Sequence, residues 1–245
     1  MQATYVNHYL TDRDIANFAR QSFATVADQF TEQQNNNLIR FLARGMTSGD
    51  WEKTIGQMHT LPSEKAAHNL AVYMRSIPEH WVPFGHPQIT LRMKAPVPIR
   101  TQCFKHKIGF VESEESRRYI KSTPELYIPD AFRSAAASVK QGSGDEHPHS
   151  EGWKTLYIAM CESAIGVYGD MLADGVCPEQ ARFVLPQGTE VNWVWTGSLY
   201  AFAQAYNKRS DSHAQKEVQG LFAEIDAIIS PLYPVAWAAL TRGEY

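Results

Sequence analysis

Residues 102–119 read QCFKHKIGFVESEESRRY, and the rest of the chain is placed by reference to this stretch. It gathers Lys105, His106, Lys107, Arg117 and Arg118 around Glu112, Glu114 and Glu115, with Ser113 and Ser116 between them. Pro96 and Pro98 upstream suit the first turn of a helix, and Gly109 suits its end. On such a helix Gln102, Lys105 and His106 stand at i, i+3 and i+4 and share a face. Ile99 and Cys103 share another, apolar one. Beyond Gly109, the positions Glu114, Ser116 and Arg118 alternate as side chains of an extended segment do. Cations, acceptors and hydroxyls brought to one loop suit an anion and a planar polar ring. Taken as an isolated charge run, the same residues also read as solvated surface.

The 245 residues, 44% of them hydrophobic and 20% charged, suit one globular domain. A net charge of -3 argues against a surface that recruits nucleic acid and directs attention to local basic clusters. Cys103, Cys161 and Cys177 have neither CxxC nor zinc spacing, and read as buried reduced thiols of a cytoplasmic protein. No run is long enough for a membrane span, and no signal-peptide hydrophobic region opens the chain, so no membrane partner is expected. His147 and His149 lie close but lack partner ligands, so no metal is expected.

Outward from the central stretch, Gln88–Lys94 alternates Ile89, Leu91 and Met93 against polar residues, as a half-buried strand does. Ala3–Leu10 reads as another strand. Thr11 or Asp12 caps a helix running to about Phe30, with Ile15, Phe18 and Phe23 on its apolar side. Asn37–Arg44 reads as a helix closed by Gly45. Residues 46–62 read as loop, and Ser63 opens a further helical run to Arg75. Lys140–Gly144 is glycine-rich but lacks the Walker spacing, and reads as a mobile loop. Ser150–Asp174 is a long helix ended by Gly175, with Leu156, Ala159, Met160 and Ile165 inward. Pro178 starts a short helix carrying Arg182. The aromatics of Val191–Tyr206 read as core, with Thr196 or Ser198 starting a helix. Ser212 and Gln215 form a capping-box pattern that puts His213 in the first turn of the last helix. That helix buries Val218, Leu221, Ile225 and Ile228.

The central stretch resembles the signature of the flavin-dependent thymidylate synthases (the ThyX class), R-H-R, a spacer, then S-x-N-E-x-S-x-R-Y. Lys105-His106-Lys107 stands for the first triplet. Ser113-Glu114-Glu115-Ser116-Arg117-Arg118-Tyr119 stands for the second half, with Ser113 where Asn is usual. The spacer is one residue longer than in the common bacterial form, as in the phage-type branch. Ala181–Pro186 resembles the family's A-R-x-V-L-P run. Asn207–Gln215 resembles its N-L-R-x-D-x-H-A-Q run, with Lys208 where Leu is usual. His80–His86 matches a short H-x-x-P-F-x-H element, with Gly85 where Glu is usual, which makes 45–79 an insertion in a single domain spanning 1–245. Ser22 stands in a weaker R-x-S-F match. Ser198 and Tyr200 stand where many members have Asn and Arg.

The resemblance implies an α+β fold, with a mixed or antiparallel sheet flanked by long helices, in a homotetramer whose active sites are shared between subunits. It implies FAD bound without a Rossmann phosphate loop. The implied reaction is the conversion of dUMP to dTMP, with methylenetetrahydrofolate as carbon donor and NADPH as reductant. It assigns dUMP to Gln102, Glu114, Ser116, Arg118, Arg182 and Arg209, with Arg209 as the catalytic group. It assigns FAD to His80, Lys105, His106, Lys107, Ser113, Glu114, Gln204 and His213. Cys103 is read as core, not as a nucleophile. Hydroxymethylation of a pyrimidine nucleotide, and a non-catalytic nucleotide-binding homologue, stay open as alternatives.

Overall fold

The computed structural model describes residues 1–44, 80–136 and 142–242, with scattered single positions between 45 and 79. The inferred insertion at 45–79, the helix from Ser63 to Arg75 and the closing Gly45 therefore fall largely outside the described residues. The chain begins with β1 (Gln2–Tyr9), α1 (Asp12–Gln21), α2 (Glu32–Arg44) and the short α3 (Val82–Gly85). Then follow β2 (Gln88–Pro96), α4 (Val97–Cys103), β3 (Phe110–Glu114), β4 (Arg133–Ala135) and β5 (Ser143–Glu146). The long α5 (Ser150–Ala173) leads to α6 (Pro178–Ala181), β6 (Glu190–Ser198), α7 (Leu199–Arg209), α8 (Lys216–Ile229) and α9 (Pro234–Arg242). The fold is α+β. Its residues divide into two compact units: Met1–Asn7, Thr90–Gly197 and Ala205–Ile228 form the first, and the remainder forms the second.

In the first unit a four-stranded sheet has the order β1-β2-β6-β3. Ile89, Leu91, Met93 and Ala95 of β2 are buried while Gln88 and Arg92 are exposed, so the period-two reading holds. β6 pairs antiparallel with β3, from Phe110 opposite Gly197 to Glu114 opposite Trp193. The aromatic run 191–206, read as core with a helix starting at Thr196 or Ser198, is thus a strand up to Ser198 and a helix after it. Val191, Trp193 and Trp195 alternate inward on a strand, and the helix starts only after Ser198, whose Oγ accepts the Ala201 amide at 3.1 Å. Trp195 is fully buried, stacked at 4.2 Å on Phe110 and edge-on to Phe222 of α8.

The long helix differs from its reading as well. Leu156 and Met160, expected inward, are 52% and 66% exposed, as is much of Trp153, so this helix shows an apolar face. Gly175 ends it at φ 88°, as expected of a left-handed cap. Of the stretch Lys140–Gly144, read as loop, Lys140 and Gln141 lie outside the described residues, and Ser143 and Gly144 open a strand (β5) paired antiparallel with β4. Cys177 is exposed, not buried, whereas Cys103 and Cys161 are buried.

In the second unit α1, α2 and α9 pack around Ile15, Ile39 and Trp237. The helix expected to reach Phe30 stops at Gln21. The amides of Phe23 and Ala24 turn back to the carbonyls of Arg20 and Gln21, Ala24 takes φ 51°, and Phe23 is left 78% exposed. The next turn is tied down by the side chains of Asn17 and Asn35, each bonded to the Ala27 backbone. Thr31 and Gln34 then form a capping box, which starts α2 at Glu32, upstream of the expected Asn37. The Asp12 carboxylate accepts the Val235 and Ala236 amides at the start of α9, and burial raises its pKa in spite of them. Among the described residues no helix is long and apolar enough to cross a membrane.

Candidate active site

The central stretch folds as a helix, a turn and a strand, each shorter than read. α4 ends at Cys103, the amides of Lys105 and His106 bond back to Gln102 and Cys103, and Gly109 takes φ 79° in the turn. Lys105 and His106 therefore leave the helix, and the expected shared face with Gln102 dissolves. Lys105 is exposed and His106 half-buried. The extended run likewise ends at Glu114. The Ser116 carbonyl accepts the amides of Tyr119 and Ile120 in a turn, so Ser116 and Arg118 do not alternate with Glu114 on a strand.

What the turn achieves is a meeting with the end of α7. The Arg209 Nε–H donates to His106 Nε2 at 2.9 Å, and Arg209 Nη2 donates to the Gln102 carbonyl at 3.0 Å. The Gln102 side-chain amide donates to Gln215 Oε1 at 2.7 Å. Burial first, then the cations of Arg209 and Lys208, lower the His106 pKa to about 4, so the ring is neutral near pH 7 and accepts through Nε2. Burial pushes the neighbouring Cys103 thiol up to about 12 against the pull of Arg209, and the group is an inert core thiol.

Gln102, Arg209, His213 and Gln215 line a cavity of about 530 Å³, closed on another side by Arg133 and Ser143. Arg133 was not singled out by its sequence context. Its Nε–H donates to Ser143 Oγ at 2.7 Å and its Nη2 to both Glu217 carboxylate oxygens, at 2.7 and 2.9 Å. Burial works to raise the Glu217 pKa, but the Arg133 bonds together with hydrogen bonds from its own backbone amide and Gln215 lower it on balance. A less polar cavity of about 360 Å³ shares Arg133, Ser143 and Gln215 as wall, and adds Tyr127, Phe132 and Tyr157. The signals available in sequence were the Q-G-S-G run around Ser143 and the H-A-Q match ending at Gln215.

His213 does not open α8, and the capping box of Ser212 with Gln215 does not form. Asp211 instead accepts the His213 amide and ring Nδ1, both at 2.8 Å, and α8 begins at Lys216, freeing Gln215 to meet Gln102. Other expected residues lie apart from this cavity. Arg118 Nε pairs with the Glu179 carboxylate at 3.1 Å, and Arg182 Nε donates to the Glu179 carbonyl at 3.3 Å, so the two arginines converge on one residue. Glu114 pairs with Arg100 at 3.2 Å, and burial raises its pKa. Lys107 pairs with Glu112 at 2.5 Å, and Ser113 is exposed on β3. His80 and Gln204 belong to the second unit, where the His80 amide donates to the Leu42 carbonyl and its ring lies 5.7 Å from that of Phe41. Ser22, at the end of α1, is exposed.

A family model described as thymidylate synthase complementing protein (Thy1) matches residues 6–235. A flavin-dependent thymidylate synthase from Thermosipho africanus is 33% identical over 168 residues, covering 68% of this chain and 73% of the relative. One from Thermosipho melanesiensis is 31% identical over 179 residues, covering 72% and 77%. The solved structure of a UMP/dUMP methylase, PolB from Streptomyces cacaoi, bound with 5-Br dUMP, superposes with a TM-score of 0.76 over 97% of this chain and 93% of that one. At 22% identity this last likeness speaks for the fold. With the family match spanning most of its length, and with the order of the three motifs kept, the chain belongs to the thymidylate synthase complementing protein (Thy1) family.

Proposed function

We propose that this protein methylates dUMP to dTMP, taking the carbon from methylenetetrahydrofolate and reducing equivalents from NADPH through bound FAD. The observation that carries the reading is Arg209, tied by two hydrogen bonds to the central stretch while lining a cavity with Gln102. A guanidinium held this way is preorganised for negative charge on a uracil ring whose C5 attacks an electrophilic carbon. Gln102 borders the same space with a polar amide. Arg118, paired with the Glu179 carboxylate, and Arg182, bonded to the Glu179 carbonyl, are suited to the nucleotide phosphate, which would take the place of the carboxylate at Arg118. Glu114 and Ser116 are assigned to the sugar or ring.

The donor set fits a phosphate-bearing cofactor. Lys105 is exposed and, among the described residues, has no ion pair, and the exposed Lys107 stands nearby, paired with the partly buried Glu112. The two lysines, with Ser113 and His213 of the same unit, are the residues that would hold FAD. Bound FAD supplies the hydride that completes the methyl group. The balanced reaction is dUMP, methylenetetrahydrofolate, NADPH and a proton giving dTMP, tetrahydrofolate and NADP⁺. Incubation of the FAD-loaded protein with these substrates should yield a nucleotide heavier than dUMP by one CH2, with tetrahydrofolate as the folate product. A hydroxymethylated nucleotide formed without net NADPH consumption, or no product with FAD bound, would overturn the reading.

Assembly into a homotetramer with shared sites is part of the proposal. Trp153, Leu156, Met160 and Val167 are exposed along α5 at spacings that share one helical face. Sites completed by a second copy would also account for phosphate-suited arginines standing apart from the Arg209 cavity. Activity per chain should then fall on dilution in step with dissociation, read by light scattering. Full activity and tight FAD binding in a monomer would remove this part.

A further inference from the structure

The family resemblance directs His106 toward a flavin, but here its Nε2 already has a partner. We infer that His106 is the positioning residue of Arg209: with the Gln102 carbonyl it fixes the plane of the guanidinium and so decides which N–H groups face the cavity. The inference rests on the assignment of Arg209 to the nucleotide.

The geometry is specific. Two adjacent nitrogens of one guanidinium, Nε and Nη2, are anchored at 2.9 and 3.0 Å by acceptors four residues apart, His106 in the turn after α4 and Gln102 at the end of α4. Two bonds from neighbouring atoms of a planar group leave it no rotation about its own axis. Among the described residues, both N–H groups of Nη1 and the second of Nη2 remain for a ligand. An imidazole accepts at Nε2 only if it is neutral with its proton on Nδ1. The surroundings enforce neutrality, since the charges facing the ring are the cations Arg209 and Lys208, and α8 presents the apolar Phe222 at 6.4 Å. A protonated ring would repel Arg209, and the anchor would be lost.

The consequence is a division of labour. Arg209 meets the substrate, and His106 sets its direction without touching it. A lysine at 209 has no Nε–Nη2 edge and cannot use the anchor, whereas a glutamine at 106 can still offer an amide oxygen near the place of Nε2.

The test uses the full chain loaded with FAD, with His106→Leu and His106→Gln. His106→Leu keeps an apolar contact with Phe222 and removes the acceptor. Its dUMP affinity by calorimetry should fall about tenfold or more, as expected for a lost hydrogen bond to a charged group, with flavin content unchanged. His106→Gln should recover most of that loss, which a purely packing role would not predict. In the ligand-free protein, NMR should show His106 with its proton on Nδ1 and an Arg209 Nε–H protected from exchange, the protection vanishing in His106→Leu. Wild-type dUMP affinity should decline as pH falls toward 4, and His106→Leu should lack that component. Equal dUMP affinity in His106→Leu and wild type, or an unprotected Arg209 Nε–H in the ligand-free wild type, overturns the inference. If wild type binds no dUMP while the protection is present and lost in His106→Leu, the positioning stands and the proposed reaction fails.

Discussion

Arg209→Lys is expected to lower turnover by about 10²–10³, or roughly 3 to 4 kcal/mol in the barrier, with flavin binding retained. Lysine preserves the positive charge, so a loss of that size would mark direction and shape as what matters. The wild-type guanidinium is anchored at both His106 and Gln102, and only its remaining N–H groups are free for substrate. An ammonium has no planar edge to anchor and rotates about its last bond, so its donors point at the developing charge for only part of the time. Turnover numbers at saturating dUMP, together with the flavin absorbance of the purified variant, decide the matter. Turnover within about twofold of wild type would remove Arg209 from the chemistry, and it would do so without appeal to folding, because the flavin spectrum reports an intact protein.

Trp195→Ala should destabilise the first unit by roughly 3 to 5 kcal/mol, the range for emptying a fully packed aromatic site. The indole is completely buried, stacked at 4.2 Å on Phe110 and edge-on at 6.3 Å to Phe222. Phe110 sits opposite Gly197 in the β3–β6 register, and a Cβ at that glycine would stand 2.4 Å from the Phe110 ring, so the ring is wedged over the strand with no slack to refill a hole. Phe222 is also the residue against which His106 lies. The same substitution should therefore loosen the support of the Arg209 anchor, and turnover should fall along with the urea midpoint. A midpoint shift equivalent to less than about 1 kcal/mol would mean that the site collapses readily around the missing ring.

Much of this was legible from residue order alone, for identifiable reasons. β2 was readable because one face of it is buried and the other is not, which writes period two directly into Ile89, Leu91 and Met93. The end of α5 was readable because Gly175 meets a backbone requirement that few residues satisfy. Arg209 and Gln102 were singled out from stretches contiguous in sequence, and the structure brings the two to one cavity. The Cys103 core assignment held because a small apolar thiol beside Ile99 has nowhere better to go.

The errors fell where the deciding contact is distant in sequence. The run 191–206 carries aromatics that satisfy either period; the helix start at Ser198 was legible, but the strand before it is decided by pairing with β3, some eighty positions away along the chain. Leu156 and Met160 have the pattern of a buried stripe, but among the described residues no element covers them and they stay exposed. Arg133 resembles any surface arginine until Glu217 and Ser143 close on it. His106, read from its motif as a residue for flavin, depends most on the tertiary structure. Its sequence neighbours determine only that it follows a helix ending at Cys103. Burial first, and then the approach of Arg209 from the far end of α7, keep the ring neutral, and the bond from Arg209 to Nε2 sets which nitrogen carries the proton and what that ring holds in place. Local residues can specify a period, a cap or a turn, because those depend on near neighbours in sequence. The protonation and partner of a half-buried side chain depend on charges and acceptors that only the folded chain assembles.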